Sequence, residues 1–393
     1  RDLVRSRGLG DVYKRQNILF VNSFSYNTFH QMFDLCFLHS ISKLSSSVTC
    51  YSSSSIHSFT EKMNKVHGIE NIQLKKLFVI NTKRNRYREF LKIIFSAVQN
   101  IRLSFFKKGY DAIIIPYNNP LFLPFIGLYS CLFKTNIYIV CHGELELLCN
   151  PQEGMIAQLT RFCLIRYFIK HNIPQNVHFI VLGTSILTNL KSMVKNENRE
   201  HFHSINHPFY FYHVEKVKTN KLGNIKFALI GTVSPEKGLN ELIILLDKMS
   251  YQLDLTIIGR TTEKQKELEG RGVKIINEYL PREEYIHLIK EMDCVLFFYP
   301  CDTYKLIASG TIFDAISLRK KVIALSTDYF KYVEKETHYP MILVDSLEEM
   351  KWQITHLVEN SKGDLSGDCI NALYPFSVNY VSNQLEQIFY LHL

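Results

Sequence analysis

Between residues 225 and 324, apolar runs of strand length alternate with segments whose apolar residues recur at helical spacing. The stretch opens IKFALIGTVSPEKGLNELIILL, passes through LDLTIIGR and DCVLFFYP, and closes on YKLIASGTIFDAISLRKKVIA. Short continuous apolar runs, each trailed by a helix pattern, are what βαβ units and a parallel sheet require, because such strands are covered on both faces. Several runs end in glycine or small polar residues: Gly231-Thr232, Gly259-Arg260, and Ser309-Gly310-Thr311 ahead of a helix. In open α/β sheets ligands sit beyond the carboxyl ends of the strands, where helix N-termini offer N–H groups to phosphate. The stretch reads as a nucleotide-binding half-domain.

Six strands are expected in this C-terminal half, at 225–231, 253–258, 273–277, 293–299, 321–325 and 341–344. The N-terminal half shows the same alternation more weakly. Runs at 17–22, 111–116, 136–141 and 178–182 read as buried strands, and the Ser-rich segment 45–55 as a strand with polar flanks. The loop after the first run, SFSYNTFHQ, contains no glycine, so a GxGxxG dinucleotide fingerprint is absent and an NAD- or FAD-dependent enzyme is disfavoured. Residues 1–16, RDLVRSRGLGDVYKRQ, are chemically unlike the rest of the chain and are set aside as a non-native lead, with the native start expected near Asn17. A charged, strand-poor segment at 212–223 is the expected linker.

At 393 residues the chain has room for two domains, each with its own core. A net charge of +9 points to an anionic partner: a nucleotide diphosphate, an anionic membrane surface or nucleic acid. Nine cysteines are scattered with no CxxC or Cys/His ligand spacing, so reduced buried thiols are expected and no metal site. No DxD follows a strand, which gives metal-dependent sugar transfer little support. The longest apolar run, 120–133, is short of the roughly 20 residues a membrane span needs and contains Pro124.

Over residues 73–110 the positive charge is lopsided, with Glu89 the lone acid. Phe90, Ile94, Val98, Ile101 and Phe105 fall at helical spacing, and Arg84, Arg88 and Lys92 line another face. Two readings stand: a core helix with a solvated cationic face, or a helix that docks on anionic lipid through Arg84, Arg88 and Lys92. No recognition motif for nucleic acid accompanies the charge, so nucleic acid is not an expected partner.

Chemistry is expected at three places. His142-Gly143-Glu144 follows a buried strand directly, where side chains reach a ligand and glycine lets backbone approach it; a structural loop histidine is the competing reading. Lys237-Gly238, just past Gly231-Thr232, opens a helix, where a cation can neutralise a diphosphate. In Ser309-Gly310-Thr311, N–H groups face phosphate, and Asp314 one turn on can accept hydrogen bonds from ribose hydroxyls. The competing reading makes Ser309 a helix cap and Asp314 a partner of the helix dipole. Arg260 is a second candidate phosphate ligand.

In FALIGTVSPEKGLNELI, LTIIGR, LPREEYIHLIKEMDCVLFFY and SGTIFDAISLRKKVIA, in that order, the chain resembles the donor domain of GT-B glycosyltransferases, in particular the retaining, metal-independent group that uses nucleotide sugars. The resemblance implies an α/β chain of two Rossmann-like parallel-sheet domains facing a cleft. Residues 17–211 would form the acceptor side, 224–376 the donor domain, and 377–393 a helix returning to the N-terminal domain. It implies that Gly231, Thr232, Lys237 and Gly238 contact the donor diphosphate, and that Ser309, Gly310 and Thr311 line the phosphates. Asp314 would take the ribose-binding acid's place, and His142 that of the histidine near the reacting sugar, with Glu144 beside it. The donor would be a nucleotide-diphosphate sugar, the acceptor a glycan or lipid-linked glycan, and the location cytoplasmic, peripheral to the membrane, with no cofactor. Three departures stand out: Leu306 occupies the position of the family's first acid, Asp314 is shorter than the usual Glu, and the glycine-rich turn after the first strand is missing. Leu306 keeps open a non-catalytic GT-B scaffold, and a nucleotide-sugar epimerase is the other alternative.

Overall fold

The computed structural model describes residues 16–28, 30–82, 86–212, 225–261, 264–276, 280–360 and 371–391. Most of the lead sequence, Arg84 and nearly all of the expected linker lie outside the described residues. Thirteen described strands form two parallel sheets.

The first sheet contains β1 (Asn17–Val21), β2 (Ser47–Ser52), β3 (Ile72–Lys76), β4 (Ala112–Ile115), β5 (Asn136–Val140), β6 (Val177–Val181) and β7 (Phe202–Ser204). Its spatial order is β3-β2-β1-β4-β5-β6-β7, with every pairing parallel. The second contains β8 (Lys226–Val233), β9 (Asp254–Thr261), β10 (Lys274–Ile276), β11 (Cys294–Phe297), β12 (Lys321–Leu325) and β13 (Ile342–Val344), in the order β10-β9-β8-β11-β12-β13. Each sheet reverses its winding once, between β1 and β4 in the first and between β8 and β11 in the second. Those two reversals are where a doubly wound sheet opens a ligand crevice.

The chain divides into two units, residues 1–210, 306–308 and 376–393 in one, and 211–305 and 309–375 in the other. Each has its own core. In the first, Ile18, Phe20, Ile114, Tyr138 and Ile180 from the central strands pack on Phe33, Phe37 and Ile41 of helix Gln31–Ser42. In the second, Phe227, Leu229, Leu255, Ile257 and Leu296 pack on Leu242 and Ile354. Both clusters come from strands that are apolar on consecutive residues, the pattern of strands buried on both faces.

The last helix, Val378–Tyr390, is capped by Ser377, whose hydroxyl accepts from the Tyr380 amide at 3.2 Å. Val381, Leu385, Ile388 and Phe389 return it to the core of the first unit. Gln384 adds two hydrogen bonds to Asn206 there, at 2.8 and 3.1 Å. Among the described residues no helix is long and apolar enough to cross a membrane.

Two short strands, β3 and β7, were not anticipated. Both lie at sheet edges, where one side of the strand is unpaired and polar residues such as Lys75 and Lys76 are tolerated.

Candidate functional site

In the second sheet the loops after β8 and β11 meet at the reversal. β8 runs to Val233, and Pro235–Lys237 then makes one turn of 3-10 helix that ends on Gly238 in the left-handed region, φ 83°. A Cβ on Gly238 would lie 2.0 Å from the Phe298 carbonyl oxygen, so only glycine lets this turn close on the chain leaving β11. That closure brings the Lys237 ammonium to 5.8 Å from the Tyr299 ring centre. Tyr299 and Thr311 hydroxyls lie 3.4 Å apart, and Ser309 and Thr311 hydroxyls 3.2 Å. A Cβ on Gly231 would reach 2.8 Å from the Thr311 methyl. Lys237 and Thr311 thus meet at Tyr299, with Ser309 and Gly231 against Thr311. Thr232 and Arg260 are neighbours across the β8–β9 register.

Gly310 has ordinary right-handed helical dihedrals, a conformation any residue can adopt. The helix it opens, Thr311–Ser317, has only 7 residues. So short a helix offers only a weak dipole at its start.

Asp314, expected to meet a ribose, lies at the heart of a buried cluster. Its carboxylate is buried and paired with the Arg282 guanidinium, and the Tyr285 hydroxyl adds a 3.5 Å contact. Burial pushes the Asp314 carboxyl up and Arg282 pulls it back down. Arg282 donates in turn to the Tyr212 hydroxyl at 2.6 Å and lies 5.3 Å from the Tyr285 ring centre. Arg282 and Tyr285 were missed in the sequence. One signal was there: Arg282 opens a helix, Arg282–Lys290, where a cation opposes the dipole and so needs a partner from elsewhere.

In the first sheet the loops after β1 and β4 meet at the reversal, and the loop after β5 joins them. His142 follows β5 and precedes a 3-10 turn, Gly143–Leu148. Its Nε2 lies 2.9 Å from the Pro116 carbonyl, which can only accept, so Nε2 carries the proton and Nδ1 the lone pair. Burial lowers its pKa to about 4. Glu144 accepts the His142 amide at 2.9 Å, closing the loop, and burial raises its pKa to about 7.

Around the imidazole stand the rings of His30 at 4.6 Å, Phe33 at 4.9 Å and Tyr117 at 5.6 Å. His207 packs edge-on against Phe33 at 5.2 Å, with its pKa lowered to about 3, chiefly by burial. None of His30, Tyr117 or His207 was singled out from sequence, since they come from three separate loops. Glu146, also missed, is buried and accepts from the amide of Leu306, a residue of the same unit, at 2.7 Å.

The glycine-free loop after β1 is held by side chains. Ser23 bonds Ser96 at 2.8 Å and Asn100 at 2.7 Å, and Asn22 donates to the buried Asp34 at 2.8 Å. Phe24 stacks on Tyr117 at 3.9 Å. Lys92 lies 3.6 Å from the Phe24 ring centre and 4.5 Å from that of Tyr26. Lys92 is only 5% exposed, and burial lowers its pKa to about 7. It therefore cannot dock on a membrane as expected, because the β1 loop covers it. Arg88, one turn earlier, is exposed.

No protein-family model matches the chain, and no curated protein matches it. Solved structures do. Anabaena HepE in complex with UDP and glucose aligns with a TM-score of 0.64 at 13% identity, covering 96% of this chain and 100% of that one. The same protein in complex with UDP-glucose aligns at 0.63 and 15% identity, with the same coverage. Arabidopsis thaliana UGT89C1 complexed with UDP-L-rhamnose aligns at 0.52 and 10% identity, covering 96% of this chain and 99% of that one. Likeness at such identities is likeness of fold: this chain, with its two parallel sheets, has the GT-B fold.

Proposed function

We propose that this chain transfers a sugar from a nucleotide-diphosphate sugar to a glycan or lipid-linked acceptor, without a metal and with retention of configuration, at the cytoplasmic face of a membrane in surface polysaccharide synthesis. The observation that carries the reading is the cluster at the β8–β11 reversal, where Lys237 and Thr311 meet at Tyr299, with Ser309 against Thr311. Solved GT-B structures similar to it hold UDP or UDP-sugars, which makes a diphosphate the natural ligand for that cluster.

In this reading Lys237 and the hydroxyls beside it stabilise the charge that grows on the departing diphosphate, the main term in such chemistry. Gly231 and Gly238 let the end of β8 and the turn after it lie against Thr311 and Phe298. Arg282 and Asp314 neutralise each other and fix the start of helix Thr311–Ser317, a supporting role in place of ribose binding. His142, neutral at physiological pH, offers the Nδ1 lone pair to a sugar hydroxyl, held in orientation by the Pro116 carbonyl.

Thermal unfolding with UDP, GDP, ADP, CMP and dTDP sugars, wild type beside Lys237→Ala, tests it. A ligand at a hundredfold its Kd adds about 2.7 kcal/mol to the folded state. One nucleotide class should stabilise the wild type and lose most of that effect in the variant. No stabilisation by any of them, in folded protein, would leave the non-catalytic scaffold as the better reading, consistent with Leu306 and with an Asp314 already occupied.

A further inference from the structure

Helix Arg86–Phe106 buries a run of polar side chains beside Ala97 and Leu103 and leaves part of its apolar stripe outward. Lys92, Ser96, Gln99, Asn100 and Ser104 face inward and are buried. Outward face Tyr87 at 68% exposure, Ile94 at 37%, Val98 at 51% and Phe106 at 77%. The polar side chains turn in for a local reason: Ser96 and Asn100 bond Ser23, and Lys92 caps Phe24 and Tyr26.

The neighbouring helix, Leu123–Leu132, buries Leu123, Ile126 and Tyr129 and is apolar on its outward side as well. It joins the first through Phe105, which packs edge-on against Tyr129 and Phe133 at 5.5 and 5.7 Å. Its own outward residues are Phe125, Leu128 and Leu132, at 38%, 54% and 60% exposure. Two packed helices of one unit thus both present apolar side chains to solvent, which is unfavourable unless something covers them. Arg88, Arg102, Lys107 and Lys108 are exposed around them, and Glu89 is the lone acid over residues 73–110. A second copy of the chain would bring this same cationic rim against itself. An anionic, apolar surface complements both features at once. Neither helix is long and apolar enough to cross a bilayer, so the contact is along the surface.

We propose that the outward faces of helices Arg86–Phe106 and Leu123–Leu132 dock on an anionic lipid bilayer, with Val98, Phe106, Phe125 and Leu128 entering the headgroup boundary and Arg88, Arg102, Lys107 and Lys108 meeting lipid phosphates. The residues that carry the contact differ from a purely cationic face: the apolar stripe supplies the burial and the basic rim the selectivity. The docking deepens the reading of the chain as a transferase with a lipid-linked acceptor, yet its evidence is independent of the donor cluster.

The test is co-sedimentation of the full chain with vesicles of phosphatidylcholine alone and of phosphatidylcholine with phosphatidylglycerol. Binding to the anionic vesicles is expected, with little to the neutral ones. Val98→Asp with Phe106→Asp should weaken it about tenfold or more, as should Leu128→Asp on the second helix. Arg102→Glu with Lys108→Glu should weaken it and flatten its salt dependence. All are surface positions, and an unchanged melting temperature identifies folded variants. Equal binding by wild type and both sets of apolar variants overturns the proposal, as does absence of binding to anionic vesicles. Light scattering that shows a dimer broken by Val98→Asp would also overturn it, assigning the face to a second copy of the chain. Vesicle binding without any nucleotide-sugar effect would sink the enzymatic reading alone.

Discussion

At the scale of single residues, the first unit buries histidines and carboxyls whose pKa values move in opposite senses. His142, His207 and His39 have pKa values lowered to about 4, about 3 and about 4, in each case mainly by burial. Their folded-state values lie below the unfolded value, so the unfolded chain binds more protons as pH falls below about 6.5, and their contribution to stability is lost from there downward. Asp34 and Glu144, both raised to about 7 by burial, act the other way and lose stability as pH climbs from about 4 toward 7. Replacing one histidine should therefore change a slope as well as a level. For His207→Gln, about 2 kcal/mol of the stability difference between about pH 7 and pH 5 should disappear. Urea unfolding at the two pH values checks this, and an identical difference in wild type and variant would contradict it. His142 was legible in the sequence because a strand, a glycine and an acid frame it. His207 and His30 were not, since their meaning comes from Phe33 and from His142 itself.

At the scale of elements, one glycine of the second sheet is fixed by close backbone approach. Gly259 has φ 140°, and a Cβ there would lie 2.1 Å from the Gly231 carbonyl oxygen, on the paired strand. Backbone cannot give way as a side chain can, so Gly259→Ala should cost about 3 kcal/mol or more, through forced movement of β9 against β8. Gly68→Ala is the comparison: φ is 62° but nothing lies within 4 Å, and the cost should be only about 1 kcal/mol. Chemical denaturation of the two variants decides; similar losses would show that dihedral strain, and not the approach of the strands, sets the cost. The strands themselves were readable wherever they are buried on both faces, and all six in the second sheet lie where apolar runs end in glycine or polar residues. Edge strands β3 and β7 escaped because half of their surface is unpaired and their composition is polar. Helix Arg86–Phe106 was legible as a helix and not in its orientation: the stripe Phe90, Ile94, Val98 pointed to a buried face, whereas Ile94 and Val98 are exposed.

At the scale of the whole molecule, two cores stand in one chain, each built from its own sheet. A cavity cut in one should be felt there first. Leu242→Ala, in the fully buried centre of the second core, should cost about 2–5 kcal/mol. By hydrogen exchange, protection should fall in β8, β9 and β11 and hold in β1, β4 and β5; a uniform loss across both sheets would mean a single cooperative unit. The sequence by itself determined the fold class and the two parallel sheets, because whether a strand is buried on both faces is written in a handful of consecutive residues. It also placed Gly231, Gly259 and Lys237 near strand ends, since strand, turn and helix start are neighbours along the chain. Only the tertiary structure decided that Lys92 is sealed beneath Phe24, that Asp314 belongs to Arg282, and that helix Arg86–Phe106 leaves part of its apolar stripe outward. Those outcomes depend on which distant loop arrives to cover a side chain, and no local pattern of polarity records that.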